Sequence, residues 1–122
     1  MATILVIDDE PSVRRTLTRI LERAGHEVIE ARNGREGLRR FSDRQPHLVI
    51  TDVYMPDKEG IETLCELHRD APSVPIIVIS GGATKSMPAL DFAMKLGAHA
   101  TLAKPFRSED LIATVQRALP SA

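Results

Sequence analysis

A chain of 122 residues, 43% hydrophobic and 27% charged, suffices for one compact domain and is too short for two, and its composition is that of a packed core and not of a disordered tail. Aromatic residues make up 3% and the formal net charge is −1, so there is little to stack bases on and no global attraction to a phosphate backbone, which argues against direct nucleic-acid binding by this segment. The lone Cys65 forbids an internal disulfide and fits a reducing compartment or burial as a small hydrophobe. No apolar stretch approaches the ~20 residues a membrane span needs, and residues 1–10 lack the basic start of a signal peptide, so a cytoplasmic protein without membrane association is expected.

The first apolar run, residues 3–7, is short and β-branched and stops at Asp8 and Asp9. Helical spacing follows at once: Val13, Leu17, Ile20, Leu21 and Ala24 lie on one face, with Pro11 near the start and Gly25 at the stop. Val28 and Ile29 mark a short second strand, and Asn33-Gly34 opens a weaker helix carrying Leu38 and Phe41 that closes before Pro46. Residues 48–51 form a second buried run ending at Asp52. Ile61, Leu64 and Leu67, following Gly60, predict a third helix. The run 75–79 ends at Ser80. Leu90, Ala93 and Met94 predict a fourth helix, residues 100–103 a fifth strand ending at Lys104, and Leu111, Ile112, Val115 and Leu119 a last helix before Pro120, with Ser86 or Ser108 as caps. Met87 and Met94 are expected to fill core space.

Strand and helix thus alternate five times. Near-continuous apolar strands between amphipathic helices predict an α/β fold, an open, doubly wound, five-stranded parallel sheet with helices on both faces, and five helices in all. In such sheets a ligand sits beyond the carboxyl ends of the strands, where three carboxylates, one hydroxyl and one ammonium would meet.

Those residue types suit phosphoryl transfer. Three aspartates crowded together repel one another and call for a cation, and hard oxygen donors suit magnesium, which binds one or two carboxylates plus a phosphate and keeps several waters. Asp8, Asp9 and Asp52 are therefore candidate metal ligands. Asp52 is also the candidate nucleophile, because it ends a strand alone, whereas Asp8 and Asp9 are an adjacent pair better placed to hold metal. Ser80 and Lys104 would contact phosphoryl oxygens as they gain charge.

The pattern resembles the receiver domain of two-component response regulators over about residues 3 to 118. The resemblance is carried by Asp8-Asp9 after the first strand, Asp52 followed by Met55-Pro56 and Gly60, Ser80-Gly81 after the fourth strand, and Lys104-Pro105-Phe106 after the fifth. It implies a flavodoxin-like strand order 2-1-3-4-5 and a single receiver domain over residues 1–122. It further implies that Asp52 accepts a phosphoryl group from the phosphohistidine of a sensor histidine kinase or phosphotransfer protein. Magnesium would be held by Asp9, Asp52 and the main-chain carbonyl of Tyr54, with Asp8 reaching it mainly through water. Ser80 and the Gly81 amide would bind the phosphoryl group, and Lys104 would pair with it. Such a protein is a switch acting on an output domain or effector, and catalyses at most its own phosphorylation and dephosphorylation. The chain is consistent with a free-standing relay or a piece of a larger regulator.

Two positions depart from the family. Thr101 stands where an aromatic ring commonly completes a switch with the Ser80 hydroxyl, and the stretch Gly81 to Met87 is longer and richer in glycine, which directs the expected output toward that loop. Tyr54 is expected to obstruct the hydrolytic water, giving a long-lived aspartyl phosphate. A flavin-binding domain of the same fold is disfavoured because Asp8-Asp9-Glu10-Pro11 would repel the flavin phosphate. A haloacid-dehalogenase-type phosphatase, the alternative reading, places its second acid two positions after the nucleophile; here the acids are adjacent. His26, His47, His68 and His99 show no ligand spacing and are expected in surface or capping roles. Residues 14–44 hold nine arginines against five acidic residues, an excess expected on a solvated face or, following the family, a kinase-docking surface on the first helix.

Overall fold

The computed structural model describes residues 2–52, 58–80, 97–103 and 106–119, with 58–61 and 80 described in backbone only. In chain order the elements are β1 (Thr3–Ile7), α1 (Pro11–Arg23), β2 (Glu27–Ala31), α2 (Gly34–Arg44), β3 (Leu48–Asp52), α3 (Lys58–Asp70), β4 (Ile76–Ser80), β5 (Ala100–Ala103) and a C-terminal helix (Ser108–Ala118). All five strands pair in parallel in the order β2-β1-β3-β4-β5, the expected doubly wound sheet. The helix expected around Leu90 to Met94, and Met87 with it, lies outside the described residues.

Local signals explain most boundaries. Proline opens α1, where its missing N–H costs nothing, and Gly25 takes φ 95° just past its end, a region that glycine enters without steric cost. Asn33 caps α2 by accepting the Glu36 N–H at 2.8 Å, while Glu36 accepts the Arg32 N–H at 3.0 Å; that second bond holds the Glu36 carboxyl below its ordinary range. Two expectations shift. The third helix starts at Lys58, so Gly60 lies in its first turn and not before it. Ser108 is the first residue of the C-terminal helix, not its cap; the preceding Arg107 N–H donates to the Asp110 carboxylate at 3.1 Å. Cys65 is exposed on α3, so of the two readings of that residue burial is excluded.

Period-2 alternation divides the core between the two faces of the sheet. Leu5, Ile7, Val49, Ile76 and Val78 pack toward α2 and α3 with Leu64 and Leu67. Ile4, Val6, Leu48, Ile50, Ile77 and Ile79 pack toward α1 and the C-terminal helix. On the first face a Cβ at Gly37 would collide with the Ile7 side chain, so glycine there lets α2 lie close against β1.

At the amino-terminal rim of the sheet three histidines perform one task. His26, His47 and His99 each stand immediately before a strand, and each ring accepts, through Nδ1, a main-chain N–H at the start of the neighbouring strand: Ala2 at 3.2 Å, Thr3 at 3.0 Å and Ile76 at 3.3 Å. The histidine N–H returns the bond for His47, to the Thr3 carbonyl, and for His99, to the Ile76 carbonyl, both at 2.8 Å. For these three the expected capping role is a cap on a strand, whereas His68 lies on α3; the bond at His26 needs a neutral ring, since a protonated imidazole has no acceptor. Burial, and secondarily the N-terminal ammonium, push the His26 pKa below its ordinary value. The unfolded chain therefore binds the extra proton first, so this contribution is complete above pH of about 6.5 and is lost as pH falls through the lower folded value. Chemical denaturation between pH 8 and 5 should show stability falling with acid, and less steeply for His26→Gln; identical slopes would remove this ring from the account.

Candidate functional site

The parallel register of β1 and β3 pairs Ile7 with Thr51, so the next residue on each strand, Asp8 and Asp52, emerges side by side. Both continue the alternation of Ile4-Val6 and Leu48-Ile50 and so leave the sheet on the α1 side. With Asp9 they form a cluster in which one carboxylate oxygen from each lies within 4.8 Å of the others; Asp8 is buried, Asp52 half-buried and Asp9 exposed. Hard, anionic oxygen donors are compatible with a magnesium ion that keeps several waters, and the donor set fits that ion better than a soft metal, since no sulfur or imidazole belongs to it.

The backbone brings the remaining strand ends to the same rim. Asp52 pairs with Ile79, which places Ser80 one residue further along, and Ser80 pairs with Ala103, the residue before Lys104. The Ser80 side chain, Tyr54, Gly81 and Lys104 lie outside the described residues, as do Met55-Pro56 and Pro105. Thr101 is half-buried in β5 opposite Val78 and borders a shallow cleft of about 260 Å³ with Thr114 and Arg117.

Three hydrogen bonds help to hold Asp8. Its N–H donates to the Ala31 carbonyl at 3.1 Å, its Oδ1 accepts the Glu10 N–H at 2.9 Å, and its carbonyl accepts from Arg14 Nη1 at 2.8 Å. Arg14 Nε in turn pairs with Glu30 Oε1 at 3.0 Å. Neither Arg14 nor Glu30 stood out in the sequence, where Arg14 counts merely as one of the nine arginines of a basic stretch. The signal available was its place beside Val13 and Leu17 on the inward stripe of α1.

Comparison with known proteins agrees with this geometry. The family model of the response regulator receiver domain matches residues 4–116. The DNA-binding transcriptional regulator NtrC of Azospirillum brasilense is 40% identical over 98% of this chain, which spans 24% of that protein; PilH of Pseudomonas aeruginosa is 33% identical with 98% of both chains covered. Among solved structures, the receiver domain of NtrX from Brucella abortus superposes with a TM-score of 0.89 at 32% identity, covering 98% of this chain and 99% of that one. The chain belongs to the receiver-domain family of two-component response regulators, phosphoacceptor signalling domains and not enzymes in the ordinary sense. That membership leaves the phosphatase alternative without support.

Proposed function

We propose that this domain is a phosphorylation-dependent switch whose acceptor is Asp52, loaded from a histidine kinase or phosphotransfer protein in the cytoplasm. The observation that carries the reading is the convergence of Asp8, Asp9 and Asp52 at adjoining strand ends. Asp8, Asp9 and Asp52, with the main-chain carbonyl of Tyr54, would hold a magnesium ion, which when bound offsets the negative charge of an incoming phosphoryl group. The Asp52 carboxylate would attack the phosphorus of the donor's phosphohistidine, the acyl O–P bond forming as the P–N bond breaks and the donor imidazole leaves, while Ser80, Gly81 and Lys104 bind the transferred oxygens. Ser80 and Thr101 form the switch, and because Thr101 has no ring to swing inward, the change passes chiefly into the stretch after Ser80 and from there to an output domain or effector. Because the chain spans about a quarter of relatives such as NtrC and nearly all of PilH, both an attached output and a separate partner are compatible with it.

Incubation with acetyl phosphate and magnesium should add one phosphoryl group to the intact protein, and chelation of the metal should prevent it. Amide exchange on the same sample should change more over residues 81–87 than over 100–103. Labelling that persists without divalent metal would overturn the metal assignment, and a change centred on β5 would overturn the switch route.

A further inference from the structure

Of the nine arginines between residues 14 and 44, eight are exposed; the exception, Arg14, has a side chain only 14% exposed. It stands at the fourth position of α1, where a cation opposes the helix dipole, so its placement there needs an offsetting interaction. That interaction is the fork it forms: Nη1 to the Asp8 carbonyl and Nε to the Glu30 carboxylate. A planar guanidinium bonded at two points cannot swivel as an ammonium can.

The carbonyl it holds belongs to the peptide joining Asp8 to Asp9. That unit is planar, so fixing its oxygen fixes the direction in which both residues leave it. The preceding peptide is fixed as well, by the Asp8 N–H bonded to the Ala31 carbonyl. Both anchors come from the end of β2: Glu30 through Arg14, and Ala31 directly.

We propose that Arg14, braced by Glu30, is the positioning residue that sets the spacing of the Asp8 and Asp9 carboxylates for the divalent cation. The inference rests on the magnesium reading above and adds to it a residue that touches neither the cation nor the phosphoryl group. Charge alone predicts the opposite outcome to geometry. Removing a cation near a metal site should tighten metal binding, whereas releasing the Asp8-Asp9 peptide should loosen it.

Calorimetric titration of the unphosphorylated protein with magnesium chloride separates the two. Arg14→Met should raise the dissociation constant about tenfold, the lower end of what loss of an outer-shell partner costs a metal site. Glu30→Gln, which leaves the Arg14 bond to Asp8 and an acceptor for Nε but removes the charge of the brace, should raise it by at most about threefold, the scale of a partly exposed ion pair. Thermal unfolding without metal is measured in parallel, because a merely structural staple lowers that midpoint while leaving the affinity of the folded protein unchanged. Unchanged or tighter binding by folded Arg14→Met, with wild type binding normally, overturns the positioning role alone. Failure of the wild type to bind magnesium at millimolar concentration overturns the metal reading and this inference with it.

Discussion

Asp52→Ala is expected to take up no phosphoryl group from acetyl phosphate and magnesium under conditions that label the wild type fully. An acyl phosphate needs a carboxylate delivered in line with the departing group, and a nucleophile misplaced by an ångström forfeits much of the advantage of a built site. Neither neighbour can take over. Asp8 is buried, with Oδ1 engaged by the Glu10 N–H and its peptide clamped by Arg14; Asp9 is exposed, beyond the end of β1. Intact-mass measurement after a fixed incubation reads the result directly. Labelling of the variant equal to wild type would move the acceptor to another residue, and peptide mapping of that label would name it.

The largest effect on stability is expected at Ile50. It is 1% exposed, in the central strand β3, flanked in register by Val6 on β1 and Ile77 on β4, and roofed by α1 and the C-terminal helix. Strands fixed on both sides by main-chain ladders cannot close in to fill a void, so Ile50→Ala should cost about 4 kcal/mol, within the range for buried isoleucine truncations. Against a total stability on the order of 5–15 kcal/mol, that is between about a quarter and most of the whole. Urea denaturation should show a lower midpoint with an unchanged slope. Ile20→Ala, at a half-buried position of α1, serves as the contrast and should cost less than half as much. Equal losses at the two positions would mean that the face under α1 is not packed as described.

The fold was legible in the sequence because its strands are buried on both faces and so appear as uninterrupted apolar runs. Four of the five strands lie within a residue of their expected ends. The exception is β2, expected at Val28 and Ile29 and observed over Glu27–Ala31: as an edge strand it carries exposed Glu27 and Glu30, which hide its length. The strand-end carboxylates were legible for the same reason, each marking where an apolar run stops. What escaped was chemistry that depends on partners distant in sequence. His26, His47 and His99 each precede a strand, yet only the register of neighbouring strands shows which N–H each ring accepts. Arg14 lies beside Val13 and Leu17 on the inward stripe of α1, which marks it as facing inward but does not show that its partners are the Asp8 carbonyl and Glu30.

The pairing of Ile7 with Thr51 also carries a consequence for the order of events during folding. Asp8 and Asp52 come from strands separated in the chain by α1, β2 and α2, and pairing over such a separation costs loop-closure entropy. A chain that has formed α1 and α2 but has not yet docked β3 against β1 has all its acidic residues and no cluster. The cluster therefore exists only where β3 is paired with β1. A cation that needs the assembled cluster binds the native chain alone, so its presence shifts the equilibrium toward the folded state.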